Sequence, residues 1–224
     1  MKKNLLLLLI AATFVFASCG ASRFFSRTAP EISPIALVEP YSYLTDAVDV
    51  ISTFYREAPS RINQRLVTEI VGSMGLPIEK TVAIDYKYDD PRYGTAVWTR
   101  RLIDTGAGAA RNLKIPADMR KAVQDSGCRY GLIISDVGFV KNADELALEQ
   151  ALDVSSKIAD YIMNGNISLY SDTESHLNSL AALVFDSETG EVVWFGSRPR
   201  TYYVDPLDPA ELGKQIGQLF KDFK

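Results

Sequence analysis

Residues 180–196 constrain the fold of this chain most. Leu180-Ala181-Ala182-Leu183-Val184-Phe185-Asp186 is followed by the turn sequence Ser187-Glu188-Thr189-Gly190 and then by Glu191-Val192-Val193-Trp194-Phe195-Gly196, the pattern of a β-hairpin. Successive strand residues point to opposite faces, so Ala181, Leu183 and Phe185 share one face and Ala182 and Val184 the other. Both faces are apolar. Such a hairpin cannot expose one side to water, nor does it have the lipid-out, polar-in alternation of a membrane barrel strand. It requires a layer on each side, which points to a sheet between helices.

The rest of the chain supplies those layers. Tyr130-Gly131-Leu132-Ile133-Ile134-Ser135-Asp136-Val137 is also apolar on both faces at its centre and reads as a mid-sheet strand. Pro34-Ile35-Ala36-Leu37-Val38, ended by Glu39-Pro40, reads as a short buried strand, and Thr81-Val82-Ala83-Ile84-Asp85-Tyr86 as another. Between them Ile62, Leu66, Val67, Ile70, Val71 and Met74 recur at helical spacing and stop at Gly75. Shorter helices are expected over residues 98–103 and 116–126, with Gly127 as C-terminal cap and a flexible break at 105–110. A longer helix is expected over 142–165, and a last one begins with Asp208 as N-cap and Pro209, stacking Leu212, Ile216, Leu219, Phe220 and Phe223. The expected fold class is α/β (α+β): a single domain over residues 34–224, with a mixed β-sheet of about five strands flanked by helices, a C-terminal β-hairpin and a final helix.

The first residues are an address. Lys2-Lys3 precede the apolar run of residues 5–17, and Ser18-Cys19-Gly20 follow. About 13 apolar residues fall short of the roughly 20 that a helix needs to cross the hydrocarbon core. Phe16-Ala17-Ser18-Cys19 resembles the bacterial lipobox, with Phe16 where Leu is usual. That resemblance implies cleavage before Cys19 and its acylation, against the simpler alternative of an ordinary signal peptide. Residues 1–18 are thus read as a lipoprotein signal peptide, and 19–33 as the lipidated cysteine with a flexible tether. Within the tether, Arg23-Phe24-Phe25-Ser26-Arg27 fits either aromatic contact with the lipid interface or an unstructured linker.

Charge and rare residues exclude several functions. Loss of Lys2 and Lys3 reduces 24 basic residues to 22 against 28 acidic ones, so no nucleic-acid partner is expected. One histidine and two cysteines are too few for structural zinc patterns, and no metal or cofactor is expected. Cys128 is the one cysteine besides Cys19, so an acylated chain has no intramolecular disulfide, and Cys128 reads as a small buried hydrophobe. Asp85, Asp89 and Asp90 lack the spacing of a calcium loop and read as a solvated turn. His176 reads as an exposed loop residue, and Ser135-Asp136 lacks the surrounding Gly-x-Ser-x-Gly of a nucleophile elbow. Gly106-Ala107-Gly108 likewise lacks the spacing of a phosphate cradle. No catalytic residue is expected, and an enzyme would require Asp85, Asp89, Asp136 or His176 to converge.

The strand at 35–38, the helix from about Ser60, the strand at 131–135 and the hairpin Val184-Phe185-Asp186-Ser187-Glu188-Thr189-Gly190-Glu191-Val192-Val193-Trp194 occur in an order that resembles the periplasmic α/β domain of CsgG-type and LpoB-type lipoproteins and the amino-terminal domain of TolB. The Asp-x-x-Thr-Gly-x-x-x-Trp pattern also occurs in propellers, but those need several copies and this chain has one. The resemblance implies a non-enzymatic accessory or assembly factor on the periplasmic side of the bacterial outer membrane, held by its lipid anchor and working on an envelope protein or by self-association. The alternatives are a small-ligand-binding lipoprotein and a subunit of a CsgG-like secretion assembly. The partner surface is expected in the long connection 41–56, through Tyr41, Tyr43 and Tyr55.

Overall fold

The computed structural model describes residues 22–25, 31–49, 52–86, 94–140, 176–202 and 204–223. One mixed sheet carries the fold. Its strands are β1 (Ser22–Phe25), β2 (Ile35–Val38), β3 (Tyr41–Asp49), β4 (Ser52–Tyr55), β5 (Ile78–Val82), β6 (Tyr130–Val140), β7 (His176–Asp186) and β8 (Val192–Tyr202). The order is β1-β8-β7-β6-β2-β5, with β3 continuing along β6 beyond β2 and β4 pairing with β3. Strands β2, β3 and β5 are parallel to their neighbours in the β2–β5, β2–β6 and β3–β6 pairs, while β6, β7, β8 and β1 alternate in direction. The helices are α1 (Glu57–Ser73), α2 (Thr95–Arg100), α3 (Ala107–Ala110), α4 (Ala117–Asp125) and α5 (Pro209–Leu219), with a 3-10 turn at Arg101–Asp104. The molecule is thus an α/β domain with a mixed sheet flanked by helices, a C-terminal hairpin and a final helix.

Each face of the sheet has its own core, as the doubly apolar hairpin requires. Ala181, Leu183 and Phe185 pack with Ile133, Met119 and Val123 under α4, whereas Leu180, Ala182 and Val184 pack with Leu132, Val67 and Ile216 under α1 and α5. A register shift between Val184 and Phe185 puts both Val193 and Trp194 into the second core. Trp194 then stacks on Phe220 at 5.1 Å and meets Phe223 edge-on at 4.9 Å, so the chain's last aromatics close that layer. Asp208 caps α5 by accepting hydrogen bonds from the N–H groups of Ala210 and Glu211.

Several boundaries differ from the sequence reading, each for a local reason. The strand expected at 81–86 is Ile78–Val82, because its partner β2 stops at Glu39-Pro40 and residues 83–86 have no strand beside them. The break expected at 105–110 contains α3, whose Ala109 and Ala110 N–H groups donate to Gly106 O and whose Ala110 is buried. The face of α1 is turned: Ser60, Asn63, Val67 and Val71 are buried and Ile62 is 45% exposed. Residues 22–25, expected in a tether, form a strand paired with β8, and Ile32 is buried. The connection 41–56 consists of two antiparallel strands. These additions raise the sheet from about five strands to eight. The helix expected at 142–165 lies outside the described residues, as do Asp89 and Asp90 of the expected turn.

Candidate functional site

The site begins with the break between β2 and β3. Proline has no N–H to donate, so Pro40 interrupts the ladder, and the last bond between this chain segment and β5 runs from Glu39 N to Val82 O at 2.8 Å. Beyond it the two segments part. Tyr86 reaches back, its hydroxyl donating to Glu39 O at 2.6 Å. A cleft of about 400 Å3 is left at the carboxyl ends of parallel strands β2 and β5, the position where open α/β sheets commonly receive ligands. Glu39, Asp85 and Tyr86 line one side, and Tyr55, Glu57 and Arg61, from β4 and the start of α1, line the other. Arg61 is ion-paired with Glu57 at 2.6 Å across one helical turn, and Glu39 and Asp85 add two further carboxylates to the lining.

The floor of the cleft is Ser42, which is buried and whose Oγ has no hydrogen-bond partner among the described residues. In register, Ser42 lies beside Asp136 of β6. Asp136 is fully buried on the α1 side of the sheet. Asn63 of α1 donates from Nδ2 to Asp136 Oδ2 at 3.0 Å and to Pro206 O at 2.8 Å. Asn178 of β7 donates to Gln215 Oε1 of α5 at 2.9 Å. Burial pushes the Asp136 carboxyl up to about 7, and hydrogen bonds from Asn63 and Asn178 oppose that rise. Asp136 Oδ1, Asn63 Oδ1 and Gln215 Nε2 have no partner among the described residues. A buried polar layer therefore joins α1, α5 and the sheet directly behind the cleft.

On the opposite face the tyrosines pack together. Tyr41 meets Tyr86 edge-on at 5.2 Å, Tyr43 stacks on Tyr55 at 5.0 Å, and the Arg100 guanidinium lies 4.4 Å above the Tyr43 ring. Tyr41 and Tyr43 are 1% and 8% exposed, so of the three tyrosines expected at a partner surface only Tyr55 reaches the cleft. Burial raises the Tyr41 and Tyr55 hydroxyls above the ordinary phenol range, and both remain neutral donors near pH 7.

The other candidates are scattered. Asp85 is exposed at the cleft while Asp136 is buried behind it, and Asp89 and Asp90 lie outside the described residues. His176 opens β7 opposite Val140, and Cys128 is buried as a free cysteine. Cys19 lies outside the described residues. No group of three or more His, Cys, Asp or Glu side chains among the described residues is placed to hold a metal. Sequence reasoning missed Asn63 and Gln215 because polar residues on amphipathic helices read as solvated. The available signal was Asp136, the lone acid within a buried strand covered on both faces.

No family model matches the sequence, and no curated protein does. Among solved structures the chain is similar to the PelC dodecamer from Paraburkholderia phytofirmans, at 8% identity and a TM-score of 0.40 over 91% of this chain and 96% of that one. It is similar also to a point variant of that dodecamer, at 6% identity and a TM-score of 0.41 over 92% and 98%. Likeness at this level carries no argument about what the present chain does.

Proposed function

We propose that this chain is a lipid-anchored cell-envelope protein, acylated at Cys19 and held on the periplasmic side of the bacterial outer membrane, that works without catalysis as an accessory or assembly factor through protein contacts. The observation that carries the reading is the order Lys2-Lys3, apolar residues 5–17, then Ser18-Cys19. Two or more acyl chains, at about 0.8 kcal/mol per buried CH2, hold such a domain on a bilayer. The resemblance to CsgG-type, LpoB-type and TolB domains supports an accessory role. No helix among the described residues is long and apolar enough to cross a membrane. Crosslinking in intact cells, followed by detergent extraction and recovery of a carboxy-terminally tagged chain, tests the reading. One reproducible envelope protein is the expected result, and recovery of monomer alone would contradict it.

A specific observation favours a second reading, a binder of small polar ligands. Ser42 Oγ has no hydrogen-bond partner among the described residues and sits at the floor of a cleft lined by the Glu39 carboxylate and by Tyr55 and Tyr86. Such a lining suits a ligand with several hydrogen-bond donors or a positive charge. Ligand screening by thermal shift, comparing the native chain with Ser42→Val, tests it: a shift that the variant abolishes supports the reading, and no shift from any such ligand opposes it.

A further inference from the structure

Ser22, three residues after Cys19 in the chain, and the cleft lie at opposite ends of one row of the sheet. Ser22, the first residue of β1, pairs with Ser197, Ser197 with Ala181, Ala181 with Ser135, and Ser135 with Tyr41. Four strand spacings therefore separate Ser22 from Tyr41, about 19 Å along the sheet. Tyr41 adjoins Ser42 at the cleft floor, and β5, whose end borders the cleft, is the opposite edge strand from β1. Only three residues of chain lead from Cys19 to Ser22, a reach of about 11 Å at full extension. A tether running to residue 33 would let the domain stand clear of the bilayer, but pairing of Ser22–Phe25 with β8 removes most of that length.

We propose that the β1–β8 edge of the sheet docks against the bilayer surface, and that the β3–β5 edge with its cleft faces away from the membrane into the periplasm. The inference rests on acylation of Cys19. The occupant of the β1 edge is the lipid surface because the anchored residue is three positions from that strand and an extended chain reaches no farther than about 11 Å. The cleft, at the far end of the row, stays open to a partner or ligand from the aqueous side.

The full-length chain purified from membranes carries the test. In a Cys128→Ala background, one environment-sensitive fluorophore is placed at Ala109→Cys, exposed on α3 where it packs against β1 and β8, or at Glu79→Cys, exposed on β5. Both are reconstituted in vesicles of phosphatidylethanolamine and phosphatidylglycerol containing spin-labelled lipid. The expected result is quenching several-fold stronger at position 109 than at 79. Equal quenching, or stronger quenching at 79, on a chain whose mass shows acylated Cys19 overturns the orientation alone. A mass showing no acyl group at Cys19 overturns the anchored reading together with the orientation.

Discussion

Two buried acids of the sheet have opposite pH signatures. Asp136 has its carboxyl raised to about 7 by burial, so the folded chain holds that proton where an unfolded chain has released it. The stability from the neutral form is present below the ordinary carboxylate value and is lost as pH rises through about 7, with a full span on the order of 4 kcal/mol. Asp136→Asn keeps an acceptor for Asn63 and cannot ionise. Urea midpoints should therefore fall between pH 5 and pH 8 in the native chain and change much less in the variant. An equal fall in both would contradict the assignment. Asp186 behaves in reverse: burial alone would raise it, but the N–H groups of Thr189 and Glu188 and the Arg129 guanidinium together hold it below the ordinary carboxylate range. Its stabilisation is present above that range and lost as pH falls through the lowered value. Asp186 accepts from Glu188 N at 3.0 Å, Thr189 N at 3.3 Å and Arg129 Nε at 3.0 Å, so Asp186→Ala should cost about 2 kcal/mol in urea unfolding at pH 7.

Elements were legible in the sequence where two faces agreed and illegible where one edge decided. The hairpin, the central strand and α5 follow from apolar pattern and caps, and they form as expected. Strand β5 was misplaced because its exposed Glu79, Lys80 and Thr81 carry no apolar signal, and its register comes from β2 alone. Strands β3 and β4 read as a connection because their tyrosines and polar residues give no clean alternation until they pack. For the same reason the cleft was invisible: it exists only because Pro40 ends one ladder and residues 83–86 diverge. Packing at the central strand supplies a test at this scale. A Cβ on Gly131 would collide with the Phe185 ring and with Val123 at 2.8 Å, so Gly131→Ala should destabilise the fold by about 1–3 kcal/mol in urea unfolding. In α5, Asp208→Ala removes the cap on two N–H groups and should cost about 1 kcal/mol in the same assay.

At the scale of the whole molecule, the sheet separates two filled cores, with β1, which begins three residues after Cys19, at one edge and the polar cleft near the other. The proposed membrane address is read from residues 1–19, whereas the proposed direction of the cleft follows from the pairing of β1 with β8, which the sequence reading did not expect. On the proposed reading, Cys19 carries the protein on a membrane. The intact mass of the chain extracted from bacterial membranes decides this. The expected result is a mature chain beginning at Cys19 with the added mass of a diacylglyceryl group and an amide-linked acyl chain. A chain that begins at Met1, or one that begins elsewhere with Cys19 unmodified, would contradict it.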